Sequence, residues 1–459
     1  MKTVCIQGLG FVGSAMATAV AMAINDKNQP IYNVIGVDLP NDSGRSRVDK
    51  INKGEFPFET SDTMLLESLN LAHERGNISA TIDDKVFSEA DIVVVDVHLN
   101  ISYLDKKPQL DFNEFRSAIK TIGRRVKRGA LVLVETTVPP GTCEKVVVPT
   151  LHSELKKRSI EPESVYVAHS YERVMPGKEY LASITDYWRV FSGHTKTAGD
   201  VCEEFLSNVV NIKEFPLKRL SSTVASETAK VMENTYRAVN IAFIDEWTKY
   251  AESIGIDLFE VIDSIRRRPT HSNIRFPGLG VGGYCLTKDP TFAPAAASQL
   301  FGKSLNFPFS DLAVHVNHNM PLHTVSRLTA ILNSSFVEKK FLVCGVSYRQ
   351  DVGDTRYSPV ETLVRELLKC GADVACHDPY VTHWDEMNMA LLSSLSHIEK
   401  FDIVIFAVPH KQYCEMDLSI LCGKTSLVLD ANSVFNKEQR QLIRSYGIRL
   451  ESIGRGDGL

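Results

Sequence analysis

In the first half of the chain, short apolar runs alternate with stretches whose apolar positions recur every three or four residues. The runs are T-V-C-I-Q at 3–7, V-I-G-V-D at 34–38, D-I-V-V-V-D-V at 91–97, A-L-V-L-V-E at 130–135, S-V-Y-V-A at 164–168 and R-V-F-S-G at 189–193. Such alternation predicts a parallel sheet with helices on both faces. From Ser221 to Ile254 the period is helical throughout, with Val224, Thr228, Val231, Thr235, Val239, Ala242, Glu246 and Lys249 or Tyr250 tracing one stripe. A helix of that length spans on the order of 50 Å, too long for a crossover within one sheet, and so predicts a bridge between domains with a surface left for a partner. A second helix, D-L-F-E-V-I-D-S-I-R-R-R, follows, then a helical stretch near 308–333. Strand-like runs resume at 341–348, 372–378, 402–408 and 426–431. The tail G-R-G-D-G-L reads as disordered.

With 459 residues the chain exceeds what one core holds. The pattern places an N-terminal sheet domain at 1–215, a central helical domain at 216–330 and a second sheet domain at 331–459. At 44% hydrophobic, 23% charged and net −5, the composition is that of a globular protein without the excess of basic surface that nucleic-acid binding needs. The nine cysteines include no C-x-x-C pair, so neither a disulfide framework nor a metal site is indicated, and a reducing cytoplasm fits best. No apolar run approaches the roughly 20 residues of a membrane span, and no basic leader precedes the first strand.

The chemistry concentrates at loops. Directly after the first apolar run comes Gly8-Leu9-Gly10-Phe11-Val12-Gly13, opening a helical stretch. In that context the spacing is a dinucleotide fingerprint: a tight turn, a close phosphate approach and tight helix–strand packing, with the pyrophosphate on the helix N-terminus. Asp38, ending the second strand, is placed to accept from a ribose 2′-hydroxyl, which favours NAD over NADP. Together these features give the fold class: α/β, two Rossmann-like parallel-sheet domains joined by a long central helix. At 277–290 the chain reads P-G-L-G-V-G-G-Y-C-L-T-K-D-P, four glycines cradling Cys285 with Lys288 and Asp289 beside it. A thiol so placed becomes a nucleophile where its thiolate is favoured; a glycine-rich turn beside an inert cysteine accounts for the loop as well. On the long helix, Lys230 and Asn234 lie one turn apart, although a lysine at that spacing is more often a solvated charge. Arg267, Arg268, His271 and Arg275 form a cationic run that suits a diphosphate, and Arg349 and Arg356 follow the first strand of the second sheet, where guanidinium forks suit phosphate or carbonyl oxygens.

Six motifs occur in order: G-L-G-F-V-G, E-T-T-V-P-P-G-T, Y-E-R-V-M-P-G, S-E-T-A-K-V-M-E-N-T-Y-R-A-V-N-I-A, G-V-G-G-Y-C-L-T-K-D-P and G-V-S-Y-R-Q-D-V-G-D-T-R. On these motifs the chain resembles the UDP-glucose/GDP-mannose dehydrogenase family over nearly its whole length. The resemblance implies oxidation of the C6 alcohol of a nucleotide sugar to a carboxylate with two NAD⁺ in succession. It also implies a homodimer through the central helix and a setting in polysaccharide biosynthesis. Cys285 would trap the aldehyde as a thiohemiacetal that becomes a thioester, Lys230 and Asn234 would stabilise the oxyanion, Asp289 would move a proton through water, and Thr137 and Glu172 would place that water. The candidate substrate contacts are then Glu172, Arg173, Lys230, Asn234, Arg275, Gly282, Tyr348 and Arg349. The candidate cofactor contacts are Gly8, Gly10, Phe11, Val12, Gly13, Asp38, Thr137 and Arg356. The chain departs from the family pattern in three places. Val97-His98-Leu99-Asn100 stands for V-x-T-P, Tyr171 for a proline and Arg349 for a lysine. The P-G-x-G-V-G-G and E-R-V-M-P-G forms resemble the branch acting on UDP-N-acetylhexosamines, and G-G-Y-C-L the UDP-glucose branch; a nucleotide-sugar or NAD sensor without turnover is the alternative of another class.

Overall fold

The structure, a computed structural model, describes residues 1–459 except 105–106, 334, 423–424 and 457–459. The chain divides into two compact units, one of residues 1–233 with 291–306, the other of 234–290 with 307–459.

The first unit is built on an eight-stranded sheet. Its strands lie side by side in the order Lys218–Arg219, Val190–Gly193, Tyr166–Ser170, Leu131–Val134, Ile92–Val95, Lys2–Gln7, Tyr32–Val37 and Ile78–Thr81. The order reverses direction between Lys2–Gln7 and Ile92–Val95, the point at which loops from neighbouring strands diverge and leave a crevice. Pairing is parallel except between Tyr166–Ser170 and Val190–Gly193, which are antiparallel, so the sheet is not wholly parallel as the apolar runs predict. Alternate side chains feed two cores: Val4 and Ile6 pack with the helix Phe11–Ala21 on one face, Cys5 and Val93 with Asn113–Gly123 and Val148–Lys157 on the other. Between Ile92–Val95 and Leu131–Val134 a hairpin of Asn100–Leu104 and Lys107–Asp111 is tied to the helix Phe292–Gln299 by the Gln299 carboxamide, which accepts from Leu110 N and donates to the Pro108 carbonyl.

In the second unit five strands run parallel in the order Asp373–His377, Lys340–Cys344, Ile403–Phe406, Leu427–Asp430 and Arg449–Ser452. The last strand was not among the expected runs, since R-L-E-S carries one strong apolar position. The reversal here falls between Lys340–Cys344 and Ile403–Phe406. The expected disorder of the tail does not hold for Gly454–Gly456. Arg455 is 7% exposed, pairs with Asp257 and stacks over the Phe259 ring at 4.0 Å. Asp457 to Leu459 lie outside the described residues.

The long helix is Thr223–Ile254, 32 residues, with the boundary between the units inside it. Its buried face differs from the expected stripe: Thr228, Glu246, Lys249 and Tyr250 are exposed. Val231 and Ala242 of that stripe are buried, together with Thr223, Ser226, Glu227, Lys230, Asn234, Ala238, Ile244, Asp245, Thr248, Ala251 and Glu252. Among the described residues no helix is long and apolar enough to cross a membrane.

Beneath the first unit's crevice, at the carboxyl ends of the strands, lies a buried ionic group. Arg189, 2% exposed, donates to Glu135 Oε1 at 2.5 Å, and Glu135 is wholly buried. The carboxyl of Asp96 faces Glu135 in turn: burial and then the neighbouring Glu135 hold its proton affinity well above the usual carboxylate range. One arginine thus serves two buried carboxyls, and burial disfavours the charge of Glu135 as it does that of Asp96. Arg189→Ala strands the Glu135 charge and should cost about 3–5 kcal/mol in chemical denaturation, whereas Glu135→Leu with Arg189→Met should recover part of that loss. Equal losses in the two variants would contradict the ionic account.

Candidate functional site

In the first unit the fingerprint loop has the geometry its spacing predicts. A Cβ on Gly13 would stand 1.9 Å from the Gly8 carbonyl oxygen, so only glycine lets the helix Phe11–Ala21 start this close to its strand. A Cβ on Gly10 would meet nothing within 4 Å, which leaves room for a ligand's phosphates before a helix whose N-cap brings no side-chain acceptor. Phe11, the first helical residue, stacks on Phe58 at 4.0 Å. The residues present therefore fit a dinucleotide. Asp38 stands at the end of its strand as predicted, and its carboxylate is gripped by Arg47 through two bonds of 2.7 and 3.1 Å. That partner was not foreseen, and its signal is the second arginine of G-R-S-R, nine residues on.

Lys230 is not a solvated charge. It is 6% exposed, donates to the Glu172 carbonyl oxygen at 2.8 Å, lies 3.5 Å from the Glu172 carboxylate and stands 5.4 Å over the Tyr171 ring. A buried ammonium persists only when oxygens and π-density replace its water, and this loop supplies both. Tyr171, where a proline was expected, is thus part of the lysine's setting. Glu172 accepts from Val174 N, which fixes its carboxylate over the following turn. Arg173 turns to Glu233 at 3.1 Å and to the Trp188 carbonyl at 2.6 Å. Next to Lys230 the buried His169 hydrogen-bonds Ser226 through Nδ1 at 2.7 Å; burial and then the lysine push its pKa down to about 3, so it stays neutral. Thr137, half-buried, lies on the loop that follows Leu131–Val134.

In the second unit Cys285 is exposed, in the first turn of the short helix Tyr284–Lys288. Of the four glycines before it, Gly280 and Gly283 take positive φ. Gly282 is needed for space: a Cβ there would stand 2.5 Å from the Tyr357 carbonyl oxygen and 2.8 Å from Tyr348 Cβ. Tyr348, whose hydroxyl is pushed up to about 12 mainly by burial, therefore forms the wall against which the thiol loop rests. Asn234 donates its amide to Asp289 Oδ2 at 2.8 Å, both residues being nearly fully buried, and Lys288 lies 3.4 Å from Asp289 Oδ1. The loop carrying Tyr348 and Arg349 is pinned at the second sheet's reversal point. Val346 N, Ser347 N and Ser347 Oγ all donate to Asp378 Oδ2, which also faces His410 Nε2 at 3.1 Å, while Asp351 N donates to His410 Nδ1 at 2.8 Å. Reading the sequence missed this aspartate and histidine, which sit after different strands. Arg356 is taken up by Asp354 through bonds of 2.8 and 2.6 Å. Arg275 is exposed, and its charge is disfavoured by partial burial and then by Arg237 and Arg266.

Three models of the UDP-glucose/GDP-mannose dehydrogenase family match: its NAD binding domain over residues 2–210, its central domain over 224–319 and its UDP binding domain over 342–437. The chain is 30% identical to a UDP-N-acetyl-D-mannosamine dehydrogenase of Methanocaldococcus jannaschii across 99% of its own length and 97% of the relative's. It is 27% identical to an NDP-N-acetyl-D-galactosaminuronic acid dehydrogenase of Ralstonia nicotianae, over 95% and 97%. Among solved structures, a UDP-D-ManNAc dehydrogenase from Pyrococcus horikoshii superposes with a TM-score of 0.83 at 26% identity, covering 99% of this chain and 100% of that one.

The dinucleotide is therefore NAD. The ratio of kcat/KM for NAD⁺ over NADP⁺ should be at least about tenfold, or about 1.4 kcal/mol. Asp38→Asn, which releases Arg47 to meet a 2′-phosphate, should narrow it; equal use of both cofactors by the unaltered enzyme would contradict the role given to Asp38.

Proposed function

The chain belongs to the UDP-glucose/GDP-mannose dehydrogenase family and is an NAD-dependent oxidoreductase of nucleotide sugars, and from that premise we propose that it oxidises the C6 alcohol of a UDP-N-acetylhexosamine to the carboxylate. The acetamido sugar is supported by the relatives above, whose names specify N-acetylated sugars. We propose the division 1–215, 216–330 and 331–459 for the cofactor, central and nucleotide-sugar domains, in support of which stand the three matched stretches.

The observation that carries the mechanism is the bond from Asn234 to Asp289, four residues beyond Cys285. It holds a proton-bearing amide and a buried carboxylate next to an exposed thiol on a glycine-framed loop. Bound NAD⁺ supplies the electron acceptor for each of the two oxidations. The Cys285 thiolate adds to the carbonyl carbon of the intermediate aldehyde, so the half-oxidised sugar stays covalently attached. Asn234 and Lys230 donate to the oxygen on which negative charge develops, and being already desolvated and fixed they need little reorganisation. After the second oxidation the adduct is a thioester. Glu172 and Thr137 orient a water towards its carbonyl, Asp289 takes the water's proton, and the C–S bond breaks to return the thiolate and release the uronate. Arg173, Arg275, Gly282, Tyr348 and Arg349 are proposed to bind the nucleotide sugar, and Gly8, Gly10, Phe11, Val12, Gly13, Asp38, Thr137 and Arg356 the cofactor.

Cys285→Ser tests this. Serine is a weaker nucleophile near neutral pH and its ester a poorer acyl donor. The variant should keep part of the first oxidation and lose steady release of uronate, with aldehyde-level or covalently held sugar visible by mass spectrometry. Two NADH per sugar at wild-type turnover in the serine variant would remove Cys285 from the mechanism.

We further infer a homodimer through the long helix. Its support is the exposed row Tyr236, Phe243, Trp247, Tyr250 and Ile254, in which Phe243, Trp247 and Tyr250 form a ladder of ring contacts at 6.2 and 5.6 Å. Apolar rows of this length are normally covered. Sedimentation at micromolar concentration should show a dimer, and Phe243→Asp with Trp247→Glu should shift it toward monomer. A monomeric wild-type protein would refute the inference.

A further inference from the structure

Glu227 precedes Lys230 by one turn of the long helix, and its side chain is fully buried. Among the described residues no cationic side chain pairs with it. Two backbone groups do: Gly141 N donates to Oε2 at 2.5 Å and Cys143 N to Oε1 at 2.7 Å. These N–H groups open the helical run formed by Cys143–Val147 and Val148–Lys157. The run's own N-cap residue, Thr142, gives it no side-chain bond, its hydroxyl donating backward to the Pro139 carbonyl at 2.6 Å. Glu227 therefore caps this run from another element, with a carboxylate where unpaired N–H groups favour negative charge. Thr137 lies on the same loop, four residues before Gly141.

One carboxylate thus fastens the Thr137 loop to the helix that carries Lys230. We propose that Glu227 is a positioning residue: its ionised form holds the Thr137 loop in register with Lys230, and its protonation loosens that grip and slows turnover. The proposal rests on the roles given above to Thr137 and Lys230.

The charged form is finely balanced. Burial pushes the Glu227 carboxyl up to about 7 against the pull of the two backbone donors and of a hydrogen bond from the Cys143 thiol. The other titratable groups facing it come from the capped run. The Cys143 thiol is itself held neutral by burial and by Glu227, and Glu144 opposes the charge weakly, its own carboxylate being paired with Lys145 at 2.8 Å. On its own helix Lys230 is engaged with Glu172. The residues against Gly141 are Phe301 and Leu300, which are apolar. Protonation puts a hydrogen on one oxygen that now accepts an N–H, so the cap is complete above about pH 7 and weakens below it.

The test compares wild type with Glu227→Gln and Glu227→Asp from about pH 5.5 to about pH 9. Wild-type kcat should fall on the acid side with an apparent pKa near 7. Glu227→Gln cannot accept both donors; its kcat should drop roughly ten- to a hundredfold, with KM for NAD⁺ and for the sugar within about twofold and with that acid limb gone. Glu227→Asp should restore part of the rate and a shifted limb. Wild-type kcat in Glu227→Gln, or an unmoved limb, overturns the proposal. Infrared titration of the enzyme without substrate should show a protonated-carboxyl band rising as pH falls through about 7. Should the glutamine variant fail to fold, the wild-type band and the aspartate variant still decide, and a wild type without such a band overturns the proposal. Because that titration needs no turnover, it is read independently of whether Cys285 is the nucleophile.

Discussion

The constraint on which the rest depends is that the long helix buries a polar face. Glu227, Lys230 and Asn234 stand at i, i+3 and i+7, so they share one side of three successive turns, and all are at most 6% exposed. Groups of this kind are costly to bury unless each finds partners of matching polarity. Each finds a different loop: Glu227 takes the N–H groups of Gly141 and Cys143, Lys230 the oxygens of Glu172, Asn234 the carboxylate of Asp289. Within the first unit the helix thus ties down the Gly141 and Glu172 loops, and within the second it ties down Asp289. The chemistry proposed for the site uses the same bonds that make the helix's burial tolerable.

The sheets supply the second half of the positioning. The Gly8 loop leaves the carboxyl end of its strand beside the reversal in order of the first sheet, and the loop of Tyr348 and Arg349 leaves its strand beside that of the second. The Asp96, Glu135 and Arg189 group underpins that end of the first sheet, and Asp378 with His410 performs the comparable task in the second. Both are buried polar networks, which specify one arrangement of the loops above them more sharply than apolar packing would.

Much of the fold was legible because buried strands in such sheets are nearly continuous apolar runs, as at Ile92–Val95 and Leu131–Val134. What escaped were elements whose sequence lacks that signature. Arg449–Ser452 is an edge strand with polar residues, Val190–Gly193 pairs antiparallel although its composition matches the others, and Arg455 is ordered by Asp257 and Phe259 from far away in the chain. The long helix was found in length and missed in phase. Its apolar periodicity was followed, while its buried side is in part Glu227, Lys230 and Asn234 and its exposed side is aromatic. Of the site, the glycine loops and Asp38 could be read from spacing, while Cys285 and the Lys230–Asn234 pair took their roles only from the resemblance to the family. Glu227, Asp378 and His410 could be read from neither, because what marks them is burial and partners contributed by other loops.

The central claim is that the sugar passes through a thioester on Cys285. Its most direct measurement is peptide mass spectrometry of wild-type enzyme acid-quenched while turning over a UDP-N-acetylhexosamine with NAD⁺. The account predicts an acyl-level sugar adduct mapped to the peptide that contains Cys285 and cleaved by hydroxylamine, as a thioester is. Uronate forming at full rate with no adduct on that peptide, or with the sugar carried by another residue, would contradict it.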